Sequence, residues 1–263
     1  MAFEGVIFDV DGVLVDSPHE RAWRDTLQDL MDGDWRDILP MTRYAPERFN
    51  TAFYLQRLAG KPRDAGARAA LEAFGVPDAA TRAIVYGQKK QERVLQLVEA
   101  GQFIAFQDAI RFLLSVKALG IPIAAASSSK NANMFLARIS VDDLKPDDRP
   151  FTPGNEQGPT LLDQFDANVC GRDFAHGKPH PEIFLTAAQE LGVRPGGCLV
   201  VEDATSGVQA AKAGGMLALG VARLGDEDLL RAAGADLVVP SLDEVSLTAL
   251  AHGKVERRRA AAA

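Results

Sequence analysis

Two carboxylates follow an apolar run near the start of the chain, at residues 6–8. The valine, isoleucine and phenylalanine of this run favour a buried strand, because β-branched and aromatic side chains suit a pleated surface. Asp9 and Asp11 come directly after it, and Gly12 permits a tight turn. Chemistry in an open α/β sheet collects just beyond the carboxyl ends of its strands. We therefore expect Asp9 to act as a nucleophile toward phosphorus and Asp11 to act as a general acid/base.

The same two aspartates could bind a metal ion, Asp9 through its carboxylate and Asp11 through its backbone carbonyl. A Ca²⁺ loop or a solvated turn is the alternative interpretation of this segment. The apolar strand directly before the aspartates argues against that alternative.

Three further polar clusters follow predicted strands or the connections between them. A parallel sheet brings the ends of its strands together on one rim, so we expect these clusters to meet the first aspartates there. Carboxylates bind Mg²⁺, while a serine hydroxyl, the backbone amides of a helix start and a lysine hold a phosphate. This combination indicates phosphoryl transfer, in which the cations offset the repulsion between a carboxylate and a phosphate. The clusters are Ser127 with Ser128, Ser129, Lys130 and Asn131; Lys178; and Glu202 with Asp203.

Each of these clusters also has a purely structural interpretation. Glu202 and Asp203 could cap the helix that follows them, and Lys178 could be a surface lysine beside a proline. Ser127 could cap the helix after it, a role that is compatible with phosphate binding.

The elements that must position these residues alternate between strand and helix in the later part of the chain. This alternation predicts a doubly wound parallel sheet, a Rossmann-like α/β core formed by residues 1–17 and 102–250. Residues 18–101 show apolar residues at helical spacing and almost no strand-like run. They predict a small helical cap domain inserted after the first strand.

Four later segments have predicted structures. Residues 166–171 are expected to form a strand, and residues 242–250 are expected to form one last helix. Residues 140–164 lack periodicity and are rich in Asp, Pro, Gly and Thr, which predicts a long surface insertion. The tail over 251–263 is expected to be flexible.

The composition is that of an ordinary globular protein, with 47% hydrophobic and 25% charged residues in a chain of 263. A formal net charge of −7 argues against nucleic acid or an acidic membrane surface as a partner. The sequence has no apolar run of about 18 residues, as a membrane-spanning helix needs, and no signal-peptide pattern at its start. We therefore expect a cytoplasmic, monomeric protein with a small-molecule substrate.

The cysteines and most histidines are predicted to have no chemical role. Cys170 and Cys198 fall in apolar strand-like runs and are expected to be buried thiols in a reducing compartment. His176, His180 and His252 lack metal-ligand spacing, so we interpret them as surface or structural residues.

The order of four motifs resembles that of the haloacid dehalogenase superfamily. The motifs are the Asp-Val-Asp-Gly-Val segment at residues 9–13, Ser127 after an apolar strand, the Gly-Lys-Pro segment that contains Lys178, and Glu202 with Asp203. They span nearly the whole chain and are highly specific together, although each alone is weak. The helical insert after the first motif is similar to the four-helix-type cap of the first cap class in this superfamily.

The resemblance implies a role for each motif, with Mg²⁺ as the cofactor. Asp9 would be the nucleophile and Asp11 the general acid/base; Ser127, Ser128 and Lys178 would bind phosphate; and Asp9, Asp11, Glu202 and Asp203 would hold Mg²⁺.

Finer features resemble the β-phosphoglucomutase-like branch of the superfamily. Residues 127–131 read Ser-Ser-Ser-Lys-Asn, which resembles that branch's Ser-Ala-Ser-Lys-Asn. The Gly-Lys-Pro-Arg segment that ends at Arg63 resembles a cap motif whose arginine grips the phosphate not being transferred. Lys90 resembles a substrate-facing cap lysine, and His19 with Trp23 resembles a pair near the hinge. The residues that this likeness places near the substrate are His19, Arg63, Lys90, Ser129, Lys130 and Asn131.

Three features depart from that branch. The segment between Asp16 and His19 is one residue shorter, Ser128 replaces an alanine, and the insertion over 140–164 has no counterpart in compact members. Since most capped relatives hydrolyse their substrates, these departures favour a phosphatase.

The sequence thus predicts a Mg²⁺-dependent phosphatase that hydrolyses a small sugar phosphate through an aspartyl phosphate. One alternative is β-phosphoglucomutase activity, in which a sugar hydroxyl accepts the phosphoryl group and cap closure excludes water. Another is 2-haloacid dehalogenation, which needs no metal. A binding or regulatory protein on the same fold would lack the nucleophile or the metal ligand, whereas Asp9 and Asp203 are both present.

Overall fold

The computed structural model of the chain describes residues 2–58, 61–141 and 158–258. The chain divides into two compact units, Met1–Asp16 with Ile104–Ala263 and Ser17–Phe103. We name the first the sheet unit and the second the helical unit. Most of the predicted insertion and the end of the predicted tail lie outside the described residues. None of the helices in the described ranges is long and apolar enough to cross a membrane.

Strands and helices alternate through the sheet unit, whereas the helical unit consists of helices and turns. The strands are β1 (Gly5–Phe8), β2 (Val15–Asp16), β3 (Ile104–Ala105), β4 (Ile123–Ala125), β5 (Ala167–Asn168), β6 (Cys198–Glu202), β7 (Leu217–Val221) and β8 (Leu237–Val239). The α-helices are α1 (His19–Asp32), α2 (Thr51–Arg57), α3 (Arg63–Ala73), α4 (Ala79–Glu99), α5 (Gln107–Ala118), α6 (Ala132–Ala137), α7 (Glu182–Leu191), α8 (Thr205–Ala213), α9 (Glu227–Ala232) and α10 (Leu247–Ala251).

The described part of the sheet unit contains a parallel sheet of six strands in the order β5-β4-β1-β6-β7-β8. The predicted doubly wound α/β fold is confirmed. Strand β1 is fully buried and lies between β4 and β6, with Phe8 opposite Ala125 on one side and Val201 on the other. Asp9 and Asp11 therefore follow a central strand and lie beside the carboxyl ends of β4 and β6.

Helices cover both faces of the sheet. Ile7 contributes to a core that includes Phe184 of α7 and Val208 of α8. The next residue, Phe8, packs edge-to-face against Phe112 of α5, with ring centroids 6.1 Å apart. Because successive side chains of a strand point to opposite faces, this places α7 and α8 on one face and α5 on the other. The rim at the carboxyl ends of the strands is then the place where polar side chains can gather.

The prediction of one helix over 242–250 is wrong. The chain instead forms a 3₁₀ turn at Leu242–Glu244 and then the separate helix α10. Ser246 lies between them, and its Oγ accepts a hydrogen bond from the backbone N–H of Ala249 at 3.2 Å. A serine that caps a new helix in this way ends the preceding turn.

The strand predicted over 166–171 is limited to β5. The side-chain Oδ1 of Asn168 accepts a hydrogen bond from the backbone N–H of Cys170 at 2.9 Å. The chain turns at residues 170–171, although the backbone N–H groups of Val169 and Gly171 still donate to the carbonyls of Ala125 and Ser127 at 3.0 and 2.9 Å. A short antiparallel pair that the sequence does not predict joins β2 to β3.

The helical unit has an aromatic core of its own. Tyr86 of α4 is fully buried, and its hydroxyl donates to the carbonyl oxygen of Trp23 in α1 at 2.7 Å. The rings of Phe53 and Phe74 lie 4.6 Å apart, and Phe49 packs against both. Buried aromatic rings contribute large apolar areas and preferred edge or tilted contacts. They therefore hold α1, α2, α3 and α4 together as one packed unit.

A buried ion pair joins α5 to later parts of the sheet unit. Asp108 accepts hydrogen bonds from Arg223 at 2.9 and 3.0 Å, from the Ser241 hydroxyl at 2.9 Å and from the Leu242 backbone N–H at 2.8 Å. The Arg223 guanidinium lies 4.0 Å from the ring centroid of Phe106. Burial alone would raise the pKa of Asp108, but these hydrogen bonds and the Arg223 charge outweigh it, so the pKa lies below its usual value.

We expect Asp108→Asn to lower the free energy of unfolding by about 2–4 kcal/mol at neutral pH, because it removes the charge partner of buried Arg223. The folded-state pKa of Asp108 is depressed, so its contribution is present above the pKa of the unfolded chain and is lost as the pH falls through the folded value. Urea denaturation of both proteins should thus give a difference that shrinks below about pH 4.

The matched control is Asp228→Asn, which alters a solvent-exposed carboxylate paired with Arg231. Its unfolding curve should coincide with that of the unsubstituted protein. Equal destabilisation by both substitutions would contradict the assigned role of Asp108.

Candidate active site

The turn after β1 carries the first two aspartates away from the centre of the sheet. The backbone N–H of Asp9 donates to the carbonyl of Val201 in β6 at 3.0 Å, so pairing continues to this residue. The N–H of Gly12 then donates to the carbonyl of Val15 at 2.7 Å and closes the turn. Gly12 has φ +87°, in the left-handed region that favours glycine. The buried Asp9 side chain is thereby held at a defined point on the rim.

Lys178 bridges two buried carboxylates. Its Nζ lies 2.5 Å from Asp9 Oδ1 and 2.6 Å from Glu202 Oε1. The same ammonium group lies 4.9 Å from the centroid of the buried Phe184 ring, a contact that the sequence does not predict. Phe184 is the third residue of α7, which follows the loop that carries Lys178. The bridge connects the rim positions of β1 and β6.

Both carboxylate oxygens of Glu202 are engaged by donors of the protein. Oε1 accepts from Lys178, and Oε2 accepts from the backbone N–H groups of Asp203 and Ala204, each at 3.1 Å. A Cβ atom on Gly207 of α8 would lie 1.9 Å from Glu202 Oε1, so only glycine leaves room for this carboxylate. Glu202 thus positions Lys178, and the metal-binding role predicted for it stays a prediction. Gly207, the third residue of α8, is the feature of the sequence that indicates the close approach of Glu202 to this helix.

The Asp203 carboxylate lies against the turn after β1. A Cβ atom on Gly12 would stand 1.8 Å from Asp203 Oδ2 and 2.3 Å from its Cγ. The absence of a side chain at Gly12 therefore lets a carboxylate from the end of β6 approach the backbone between Asp11 and Val13. Carboxylates from two strand ends come together here, as a Mg²⁺ site requires.

The cluster carries more negative than positive charge. Burial raises the pKa of Asp9 to about 7; Lys178 opposes this rise, and the carboxylates of Glu202 and Asp11 add to it. Burial and the neighbouring carboxylates of Glu202 and Asp9 raise the pKa of Asp203 well above its usual value. Burial lowers the pKa of Lys178, but Asp9 and Glu202 outweigh that effect and keep it protonated. A hard divalent cation would balance these oxygen donors, so the donor set fits Mg²⁺.

Ser127 joins this cluster from the end of β4. Its side chain is buried, and its hydroxyl donates to Asp11 Oδ2 at 3.3 Å. The Ser127 hydroxyl oxygen also accepts a hydrogen bond from the backbone N–H of Ser129 at 3.1 Å. Ser128 is exposed to solvent. The fold therefore brings Ser127 to the aspartates, as the sequence predicts.

The remaining residues of the segment 127–131 make contacts of their own. Lys130 donates to the carbonyl of Gly171 at 2.8 Å and to Asp173 at 2.6 Å, and is exposed. Asn131 is buried at the start of α6, and its backbone N–H donates to the Ser129 hydroxyl at 3.3 Å. Substrate contacts by Ser129, Lys130 and Asn131 stay predictions.

The predicted substrate residues of the helical unit have different surroundings. Lys90 is only 5% exposed, and its Nζ lies 4.8 Å from the centroid of the Trp23 ring and 3.4 Å from His19 Nδ1. Arg63 at the start of α3 is half exposed, with its Nε 3.6 Å from Asp64. A buried lysine is rare without a specific partner, so the surroundings of Lys90 are typical of a functional or structural cation.

We expect Gly12→Ala to reduce the free energy of unfolding by more than the roughly 1–2 kcal/mol that a positive φ costs an L-residue. The added methyl would collide with Asp203 and displace its carboxylate, so Mg²⁺ binding measured by calorimetry should also weaken.

The matched control is Gly215→Ala, because Gly215 has φ +73° but nothing within 4 Å of the position of a Cβ atom. Both variants place alanine at a positive φ, so the difference between their free energies of unfolding in urea measures the cost of the collision with Asp203. Equal stabilities with unchanged Mg²⁺ affinity would mean that Asp203 moves aside without cost.

Comparisons with known proteins identify the family of the chain. A family model described as haloacid dehalogenase-like hydrolase matches residues 3–215. The chain is similar to the β-phosphoglucomutase of Bacillus subtilis, with 32% identity over an alignment of 266 positions that covers 97% of each protein. It is 28% identical to the fructose-1-phosphate phosphatase YqaB of Escherichia coli, over 83% of this chain and 96% of that protein.

Among solved structures, the fold is similar to a β-phosphoglucomutase from the hyperthermophilic archaeon Pyrococcus sp. strain ST 04. The TM-score is 0.68 at 30% sequence identity, and the match covers 95% of this chain and 99% of the other. The resemblance noted from the motifs is confirmed. The chain is an enzyme that belongs to the haloacid dehalogenase superfamily, in its β-phosphoglucomutase-like branch.

Proposed function

We propose that the chain transfers the phosphoryl group of a small sugar phosphate through a covalent phosphate on Asp9. The observation that carries this proposal is the buried Lys178 bridge between Asp9 and Glu202, with Asp203 beside the same turn. A buried carboxylate held by an ammonium group is a suitable nucleophile, because it is oriented and partly desolvated before the substrate binds.

In the first proposed step, an Asp9 oxygen attacks phosphorus while the bond from phosphorus to the sugar oxygen breaks. Asp11 donates a proton to that leaving oxygen. In the second step, Asp11 removes a proton from the accepting hydroxyl, which attacks phosphorus and releases Asp9. Lys178 offsets negative charge in both steps, and the Ser127 hydroxyl is proposed to donate to a phosphoryl oxygen. Bound Mg²⁺ would draw charge from the phosphate and so reduce its repulsion from Asp9.

Asp9, Asp203 and the carbonyl of Asp11 are the groups that we propose as protein ligands of Mg²⁺. Glu202 would support them indirectly, since both of its oxygens already accept hydrogen bonds within the protein. The excess of carboxylates over ammonium groups in the cluster supports this assignment.

We further propose that the acceptor is a sugar hydroxyl, so that the enzyme is a β-phosphoglucomutase. Sequence alone favours hydrolysis, but the Bacillus subtilis β-phosphoglucomutase is similar over nearly its whole length. The Escherichia coli phosphatase is less similar and covers less of this chain. Buried Lys90, held by Trp23 and His19, supports a specific anion contact of the kind that a bisphosphate intermediate needs.

Sugar phosphate hydrolysis is the second candidate. It is favoured by the similarity to the fructose-1-phosphate phosphatase and by the shortened segment between Asp16 and His19. Water would then take the place of the sugar hydroxyl in the second step. The expected cytoplasmic location, the monomeric state, and the absence of nucleic-acid and membrane partners stay predictions.

One incubation can separate these candidates. Purified protein is given Mg²⁺, β-glucose 1-phosphate and a trace of glucose 1,6-bisphosphate, while glucose 6-phosphate and free phosphate are followed together. We expect glucose 6-phosphate with little free phosphate, and a loss of at least about 1,000-fold in turnover for Asp9→Asn, whose circular dichroism spectrum should show that the fold is retained.

If free phosphate is the main product, the proposed mutase activity is wrong and the enzyme is a phosphatase. An Asp9→Asn variant with near-normal turnover would remove the covalent mechanism. If neither product forms, the sugar phosphate proposal fails, and release of halide from 2-haloacids without metal would indicate a dehalogenase.

Arg63 offers a test of substrate recognition. We expect Arg63→Ala to raise KM about tenfold for a sugar phosphate with a second anionic group, because a charge-assisted hydrogen bond is lost. KM for a simple phosphate ester should not change. Arg68→Ala on the same helix, which removes a surface pair with Glu72, is the control. Equal effects of Arg63→Ala on both substrates would exclude Arg63 from substrate recognition.

A further inference from the structure

A second group of metal-ligating side chains lies on the loop that leads into α7. His176 Nδ1 is 3.3 Å from Glu182 Oε2, and His180 Nδ1 is 3.9 Å from the same oxygen. One possible ligand atom from each of the three residues lies within 4.8 Å of the others. The ring centroids of the two histidines are 4.4 Å apart. Both histidines are exposed, as expected for surface residues, and the fold brings them to the Glu182 carboxylate.

A reverse turn brings the three side chains together. The backbone N–H of His180 donates to the carbonyl of Gly177 at 3.0 Å, which folds the loop back on itself. Glu182 is the first residue of α7, and its carboxylate accepts from the backbone N–H groups of Ala175 at 3.3 Å and His176 at 2.9 Å. The carboxylate is therefore oriented by the loop that carries both imidazoles. The linear spacing of these residues does not reveal the turn, so the sequence alone does not predict that they meet.

The histidine rings are suited to bind a metal ion. The backbone N–H of Glu182 lies 3.3 Å from His180 Nδ1, a contact in which that nitrogen accepts. A metal ion bound through His180 Nδ1 would replace this long contact, because one lone pair cannot serve both partners. Both rings are exposed, so an ion can reach them from solvent.

The donor set selects a class of metal. Two imidazole nitrogens and one carboxylate oxygen suit Zn²⁺ and neighbouring first-row ions, whereas Mg²⁺ prefers oxygen ligands alone. Tetrahedral bonds of about 2.0–2.1 Å place ligand atoms roughly 3.3–3.4 Å apart, so the pair formed by His176 and Glu182 is already at that separation. The longer separation to His180 requires a shift of this exposed ring, which would give up its contact with the Glu182 backbone N–H. Three protein ligands leave one position for water.

We propose that His176, His180 and Glu182 form a binding site for a Zn²⁺-class transition-metal ion on this loop. The site is distinct in its donor chemistry from the carboxylate cluster at the sheet rim. Its two histidines flank Lys178 by two residues on either side, so the ion would hold the turn that contains this lysine.

Metal binding to the full chain without an affinity tag tests the proposal, since a histidine tag would itself bind the ion. Zn²⁺ is titrated by calorimetry in the presence of excess Mg²⁺, which occupies oxygen-only sites. We expect one site whose affinity falls at least about tenfold in His176→Ala and in His180→Ala. His252→Ala is the matched control, because it removes another exposed histidine and should leave the affinity unchanged.

A second measurement avoids dependence on substitutions that alter the loop. The chain has four histidines, so the ring signals of each can be followed by NMR. Paramagnetic Ni²⁺ should broaden the signals of His176 and His180 and leave those of His19 and His252 sharp. Absence of a Zn²⁺ site, unchanged affinity in both histidine variants, or broadening confined to other histidines would overturn the proposal. Because the readout is binding, a protein without phosphoryl-transfer activity would not alter the result.

Discussion

The ammonium group of Lys178 between two buried carboxylates is the interaction on which the site depends. It is the positive charge that the protein itself supplies next to Asp9 and Glu202. Loss of one partner from a buried ion pair leaves the others desolvated and uncompensated, which costs several kcal/mol. The bridge therefore has two consequences: it ties the loop before α7 to the ends of β1 and β6, and it orients the Asp9 carboxylate.

Two glycines make the dense packing of carboxylates possible. Gly12 leaves room for Asp203, and Gly207 leaves room for Glu202. In both places a methyl group would occupy the volume of a carboxylate oxygen. The backbone amides after β6 then hold Glu202, while Asp203 lies against the turn that carries the first aspartates. The site therefore depends on the missing side chains of these two glycines as well as on its acidic residues.

The helical unit holds the charged side chain of Lys90 against its hydrophobic core. Trp23 and Tyr86 pack within that core, and Lys90 lies against the Trp23 ring with its ammonium group near His19. A lysine held this way loses little additional freedom when it binds an anion, because its stem is already ordered. We propose that such a cation favours a substrate with two anionic groups.

The sequence by itself determined the α/β fold and the residue types of the candidate site, because strand periodicity and the four motifs are local properties of the chain. It also indicated that the chain turns at Gly12. It did not predict that Lys178 would bridge Asp9 and Glu202, that Gly207 would admit a carboxylate, or that Ser246 would divide the last predicted helix. Nor did it bring His176 and His180 to Glu182. Only the tertiary structure decided these contacts. The Lys178 bridge joins side chains 169 residues apart, whereas the Gly207, Ser246 and histidine contacts depend on local backbone turns that the residue types alone do not specify.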